Sequence, residues 1–360
     1  QLGGNKYAPA PVTTFRFLSL NSTANPYGCA SRCTRSITVG PKITTKYVFY
    51  PWTIGWPFCR RIGKIMNPYK IEGPALISFS GGRTSGFMLK KIIDAYEGQL
   101  PEDVYVVFAN TGKEMPKTLD FVNECSEKWN CKIHWLELEI AEERPIYRTK
   151  EVTYETASRN GEPFAELIKK RQMIPNTFTR FCTQDLKINV MKRFIKNKGF
   201  KEWTMIVGLR HDEPMRVAKQ NKQNDLDTNP WDSVMPLYQD KITKKEVHDF
   251  WEKNNFDLEL PVINGQTVAG NCDLCFLKGS KIKMMLIKEK PELVDWWIEQ
   301  EEKNFLVAEK RLGKKLESYE KPFTQFNKQL SYVELVEKSK QNERQIDLFP
   351  DDSISCFCHD

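Results

Sequence analysis

The apolar run Ala75-Leu76-Ile77 enters the string Ser78-Phe-Ser-Gly-Gly-Arg-Thr-Ser-Gly86, which passes into Phe87-Met88-Leu89-Lys90-Lys91-Ile92-Ile93 with helical spacing. A strand, a tight Gly-Gly turn and a helix start restrict this part of the chain to a βα unit, with the turn at the carboxyl end of the strand. Gly81 and Gly82 can take positive φ and let backbone come close to a ligand. The N–H groups of the first helical turn lack intrahelical partners, and the helix dipole favours an anion there. Ser80, Thr84 and Ser85 add hydroxyl donors. The string therefore predicts a phosphate-binding turn. The competing reading is an ordinary strand-to-helix turn, where Ser and Gly are also common.

Beyond Met66 the same alternation continues. Strands are expected over 75–80, 104–109, 132–138 and 203–209, and helices over 83–97, 116–129, 163–172, 185–198 and 243–254. This pattern predicts an α/β fold: a doubly wound, mostly parallel sheet with helices on both faces. Residues 280–303 read as helical with a break at Pro291. The Lys/Glu-rich stretch 304–345 reads as solvated helix faces, so a helical C-terminal region follows the sheet. Residues 141–180 read as a polar excursion over the site, and 217–232, rich in Asn, Asp and Gln, as a mobile loop. The expected division is a leader at 1–65, a nucleotide-binding domain at 66–280 and a helical extension at 281–360.

Two more turns stand at strand ends. Val104-Tyr-Val-Val-Phe-Ala-Asn-Thr-Gly112 is followed by a helix start containing Pro116 and Thr118, about 30 residues after the first turn, the length of one βαβ unit. Met205-Ile-Val-Gly-Leu-Arg-His-Asp-Glu-Pro-Met-Arg216 carries Arg210 and Arg216, charged forks suited to sulfate or phosphate oxygens, although isolated arginines are more often surface residues. Ligands of open α/β sheets bind outside the carboxyl ends of the strands, so these turns could face one nucleotide.

The three motifs, in this order, resemble the phosphoadenosine phosphosulfate (PAPS) reductase family of the PP-loop, or adenine nucleotide alpha-hydrolase-like, superfamily. The resemblance runs from about Ala75 to Lys278. The first string is similar to the superfamily's Ser-Gly-Gly-x-Asp-Ser loop, with Thr84 where the ATP-cleaving members usually carry Asp. No Gly-Lys-Ser/Thr follows, so it is not a Walker loop. Lys117 stands where the family's second motif usually has Glu. The resemblance implies that Ser80, Gly81, Gly82, Thr84, Ser85, Asn110, Thr111, Gly112, Gly208, Arg210 and Arg216 bind an adenosine nucleotide, PAPS or ATP, with Mg2+ if ATP is used.

The ten cysteines, without a signal peptide, argue for a reducing, cytoplasmic setting and for metal or redox use rather than a disulfide framework. Cys125 and Cys131 read as buried apolar residues. Cys182 with Cys272-Asp-Leu-Cys275 resembles three of the four ligands of the cluster-containing sulfonucleotide reductases; Phe181 stands at the fourth position. That implies a [4Fe–4S] cluster. A structural zinc, a metal-free redox dithiol and inert thiols are the other readings. Ser355-Cys-Phe-Cys-His-Asp360 resembles the family's terminal Glu-Cys-Gly-x-His, with Phe357 in place of Gly. It implies Cys356 as the sulfur nucleophile, His359 as a catalytic neighbour and Cys358 as a resolving thiol or fourth ligand.

The net charge of +7 is misleading about partners. Residues 1–65 hold nine Lys or Arg and no Asp or Glu, while 66–360 hold 45 basic and 47 acidic residues. The folded part gives no global argument for nucleic acid, though a local basic patch is compatible with this balance. The leader is expected to be upstream or non-native sequence; a targeting (transit-peptide) or flexible, disordered extension and a small domain are its other readings. Its Cys29, Cys33 and Cys59 lack a good fourth ligand for zinc. No apolar run reaches the roughly 18 residues of a membrane span.

The expected function is thiol-dependent reduction or transfer of the sulfur group of an adenosine sulfonucleotide, with a thioredoxin-like reductant as partner. The alternative is ATP-dependent sulfur insertion into tRNA or DNA, where nucleic acid would be the partner. A non-catalytic nucleotide-binding interaction protein is a third possibility.

Overall fold

The computed structural model describes residues 67–263, 266–267, 270–317, 324–327 and 329–340. Residues 1–65 and the terminal Cys356, Cys358 and His359 lie outside this set.

Six strands form one sheet. β1 (Ala75–Ser78) is buried along its whole length, as a central parallel strand covered on both faces must be. Around it come β2 (Val104–Ala109), β3 (Ile133–Ile140), β4 (Tyr147–Val152), β5 (Trp203–Ile206) and β6 (Trp231–Val234), in the spatial order β4-β3-β2-β1-β5-β6. Every pairing is parallel except the edge pair β3–β4. The crossovers contain α1 (Arg83–Ala95), α2 (Pro116–Lys128), α3 (Glu162–Arg171), α4 (Asn189–Asn197) and α5 (Pro214–Asp225). α4 is entered through a π-helical turn at Thr183–Ile188. Two more helices follow, α6 (Pro236–Gln239) and α7 (Lys244–Lys253), the latter starting at the expected Thr243. A two-residue hairpin pairs β7 (Val262–Ile263) with β8 (Gln266–Thr267).

The doubly wound α/β expectation is met, with two local differences. The polar excursion contains β4, an edge strand that is exposed or part-buried at every position except Val152. The stretch read as a mobile loop is largely α5 and β6. Its polarity reflects an exposed helix, in which only Val217 is buried, rather than absent structure. The C-terminal helices are α8 (Ser280–Glu289), α9 (Asp295–Leu312) and α10 (Tyr332–Ser339), with a 3-10 turn at Pro291–Val294 where Pro291 breaks the pattern.

The C-terminal helices share an aromatic core. Trp297 is fully buried and stacks on Tyr332 with ring centroids 5.2 Å apart; Phe326 packs edge-on to Trp297 at 4.9 Å. Ser331 caps α10, accepting the Glu334 N–H at 3.2 Å while its own N–H is accepted by the Glu334 carboxylate at 2.7 Å. No helix among the described residues is long and apolar enough to cross a membrane.

Candidate active site

β1 connects through α1 to β2 on one side, while β5 pairs with its other side. The strand order therefore reverses between β1 and β5, and the turns after these two strands flank the crevice where open α/β sheets bind ligands. The first turn is built by its own hydroxyls. Ser80 and Ser85 share an Oγ–Oγ hydrogen bond of 2.9 Å, and Ser85 Oγ donates to the Gly82 carbonyl at 3.0 Å. Gly81 has φ +77°, and a Cβ there would lie 2.7 Å from Thr118 Cγ2, so this glycine is required both by conformation and by the approach of α2. Gly82 has φ −98° and stands as the N-cap of α1.

The third motif meets the first directly. Arg210 Nη1 donates to Thr84 Oγ1 at 2.9 Å, and a Cβ on Gly208 would sit 3.4 Å from Ser85 Cα. Asp212 accepts from Arg210 Nε at 2.9 Å, and Glu213 pairs with Arg216. The Arg210 guanidinium thus sits against the first turn, and the carboxylates of Asp212 and Glu213 engage the two arginines. Arg83, inside the loop string, points elsewhere. Its Nε donates to Asp257 Oδ1 at 2.7 Å and its Nη1 to Thr267 Oγ1 at 3.0 Å, while Trp251 Nε1 donates to its carbonyl at 2.8 Å. Burial works against ionised Asp257, but Arg83 outweighs it and holds the carboxyl below its ordinary pKa.

The second motif faces a different neighbourhood. The Asn110 amide donates to buried Glu137 at 2.7 Å and to the Ser158 carbonyl at 2.9 Å, and its Oδ1 accepts the Gly112 N–H at 3.0 Å. Thr111 donates from N and Oγ1 to Glu114 Oε2, at 2.9 and 2.8 Å, and its Oγ1 lies 3.4 Å from Cys272 Sγ. Gly112, at φ +77°, packs on Gly161. The structure therefore places the Asn110 and Thr111 side chains in an internal scaffold, Thr111 beside Cys272, while Ser80–Ser85, Gly208 and Arg210 stand together at the switch point.

The Cys272–Cys275 turn is pinned from several directions. Cys272 forms a β-bridge with Glu114, Asp273 N–H donates to the Lys113 carbonyl at 2.7 Å, and Lys278 Nζ donates to the Cys272 carbonyl at 2.6 Å. Lys113 and Asp273 form a buried ion pair at 2.8 Å, and Trp297 Nε1 donates to the same carboxylate at 2.8 Å. Cys182, Cys272 and Cys275 line one pocket with Thr111, Lys187, Phe276, Leu277 and Trp297. Lys187 Nζ lies 3.6 Å from Glu114 Oε1. The three thiols fit a soft metal centre in kind and converge on one pocket. Among the described residues, however, no group of three or more His, Cys, Asp or Glu side chains is spaced to hold a metal ion. Cys125 and Cys131 are buried elsewhere, and burial pushes the Cys131 thiol up to about 11.

Lys113, Glu114, Lys187, Asp273 and Trp297 were not legible as site residues. Lys113 and Glu114 follow the second motif and Asp273 sits inside the Cys-x2-Cys, so adjacency was the available signal; Trp297 had none.

Comparison with known proteins gives these residues a context. An uncharacterized nin region protein of Escherichia phage lambda is 28% identical over 213 residues, 57% of this chain and 67% of the relative. An uncharacterized protein of Methanocaldococcus jannaschii is 29% identical over 45% of this chain and 28% of its own length. An uncharacterized protein of Escherichia phage 186 is 25% identical over 43% of this chain and 53% of its own length. The chain thus spans about two thirds of the lambda relative and about half or less of the other two. A crystal structure of phosphoadenylyl-sulfate (PAPS) reductase from Candida auris, a phosphate complex, aligns at 14% identity over 53% of this chain and 81% of that one, with a TM-score of 0.33, too low to carry an argument. The model of the phosphoadenosine phosphosulfate reductase domain matches residues 74–259, more than half of the chain and all three turns, and the chain belongs to that family.

Proposed function

We propose that this protein is a PAPS reductase-like enzyme that binds an adenosine sulfonucleotide at the β1–β5 switch point. The observation that supports this most is the direct junction of the first and third motifs, Arg210 on Thr84 with Gly208 against Ser85. In this reading the free N–H groups of the α1 start and the hydroxyls of Ser80 and Ser85 take phosphate oxygens, and Arg210 and Arg216 neutralise the sulfonate end. Asn110 and Gly112 hold the second turn in shape rather than touching the nucleotide.

The sulfur step falls to the terminal thiols. The Cys356 thiolate attacks the sulfonate sulfur; an S–S bond forms, the phosphate–sulfate S–O bond breaks, and the adenosine bisphosphate leaves. A second thiolate, Cys358 or one from a thioredoxin-like dithiol, attacks Cys356 Sγ. A disulfide forms and sulfite departs with the electron pair, so two thiols supply the two electrons. His359 would favour the thiolate. Cys182, Cys272 and Cys275, which line one pocket without being spaced for a single ion, would be the ligands of an iron–sulfur cluster, with Cys358 as a fourth ligand if it is not the resolving thiol. Such a cluster supplies local charge and cross-links the pocket.

Anaerobic purification with iron and sulfide analysis, together with sulfite release from PAPS, tests the proposal. The expected protein is brown and releases sulfite, and PAPS alone leaves an adduct of about 80 Da on the tail, lost in Cys356→Ser. Zinc in place of iron would remove the cluster. Absence of adduct and sulfite, with AMP and pyrophosphate formed from ATP and an RNA or DNA acceptor, would replace reduction by sulfur insertion.

A further inference from the structure

The start of α1 has no side-chain cap, since its N-cap residue is Gly82. An anion site made of free N–H groups binds well only if the turn is held in place before the ligand arrives, because ordering it on binding subtracts from affinity. Each of the first three helical residues is pinned by a different partner. Ser85 Oγ is bonded to Ser80 and to the Gly82 carbonyl, and Thr84 Oγ1 accepts from Arg210. Arg83 is pinned from outside the three motifs.

The Arg83 side chain is 14% exposed and makes four hydrogen bonds. Nε and Nη2 form a fork on the two carboxylate oxygens of Asp257, Nη2 also donates to the Leu260 carbonyl at 3.3 Å, and Nη1 donates to Thr267 Oγ1. All three partners follow α7 in the chain. α7 itself meets the same helix start. A Cβ at Gly86 would lie 2.9 Å from the Trp251 ring, whose Nε1 donates to the Arg83 carbonyl. At the other end of α7 the Lys244 N–H donates to Asp212 Oδ2 at 3.1 Å, and Oδ1 of that carboxylate accepts from Arg210. α7 and the residues after it are therefore fastened to the first and third turns through Asp212, Trp251 and Asp257.

We propose that Arg83 and Asp257 are a positioning pair that keeps the phosphate-binding turn preformed, and that Arg83 is not itself a phosphate ligand. An arginine inside a phosphate-loop string invites the opposite assignment. Its fork is already filled by a carboxylate of matching geometry, which a phosphate would have to displace. The inference rests on the first turn being a phosphate site, and it holds for PAPS and for ATP alike.

Calorimetry of the full chain with PAPS and with ATP tests it, at a temperature where circular dichroism shows every variant folded. Asp257→Asn is isosteric at a part-exposed side chain, and Arg83→Met keeps the aliphatic stem. Each should weaken the nucleotide roughly tenfold. The double variant should bind about as Arg83→Met alone, because both changes break one interaction. Arg83→Met should also keep the wild-type dependence of affinity on salt, since no charge leaves the ligand. A direct phosphate ligand gives another pattern: Asp257→Asn frees the guanidinium and tightens binding, and Arg83→Met flattens the salt dependence. Either result overturns the pair. Wild-type affinity in both folded variants, with only the thermal midpoint lowered, overturns it too by making the contact purely structural. The comparison is read with whichever nucleotide wild type binds. If that is ATP alone, the reductase reading falls while the pair is decided as above; a wild type that binds neither overturns both.

Discussion

At the residue scale, neighbouring glycines of the first turn carry different duties. Gly81 sits at φ +77° with Thr118 and Val122 methyls 2.7 and 3.0 Å from a prospective Cβ. Gly82 has φ −98° and ψ 161°, which a β-branched residue adopts readily. Gly81→Val should therefore lower folding stability by about 2 kcal/mol or more, from left-handed strain and overpacking. Gly82→Val should leave the thermal midpoint nearly unchanged and remove nucleotide binding by calorimetry. Equal effects of the two variants on the midpoint would contradict this division. Asn110 gives the opposite lesson. Its amide serves Glu137, which also accepts the Ser158 N–H and hydroxyl at 2.7 and 2.9 Å. Asn110→Ala should cost about 2–3 kcal/mol in urea unfolding, because a buried carboxylate loses a donor. A loss confined to nucleotide affinity, with stability intact, would instead make Asn110 a direct ligand. Sequence made Asn110 visible as part of a turn but not the direction of its amide, since Glu137 lies a strand away.

At the element scale, the C-terminal helices act on the cysteine turn through one carboxylate. Glu301 on α9 accepts the Phe326 N–H at 3.1 Å and the Tyr332 N–H at 2.9 Å, and Tyr332 in turn donates its hydroxyl to the Leu274 carbonyl. Burial raises the Glu301 pKa from its ordinary 4.5 to about 7, against the lowering pull of those two N–H groups and Lys283. The folded state thus binds a proton that the unfolded chain releases between these two values, so stability falls as pH rises from about 4.5 to about 7. The lost stability is on the order of 2–3 kcal/mol. Glu301→Gln should remove that slope while keeping an oxygen for one N–H. Denaturant unfolding of both proteins across this window checks it, and parallel pH profiles would refute the assignment. The existence of α8 and α9 was readable from periodicity and Pro291. The contact of Trp297 with Asp273 was not, because a helical apolar stripe specifies that a face is buried and leaves its partner open.

At the scale of the whole molecule, the family match begins at residue 74 and the acidic residues begin after residue 65. A protein starting at Met66 is accordingly expected to keep its thermal midpoint and nucleotide affinity; aggregation or a midpoint several degrees lower would show that residues 1–65 support the domain. The sequence alone determined the alternating strands and helices, the placement of three turns at strand ends and the thiol spacing, because periodicity and turn chemistry are local properties of the backbone. It missed α5 and β6, whose polar residues cover an exposed helix and a short strand and leave no apolar pattern. Only the tertiary structure decided which turns share a site. Arg210 reaches Thr84 across 126 positions and Thr111 reaches Cys272 across 161, and such pairings are set by strand order and packing rather than by any nearby residue.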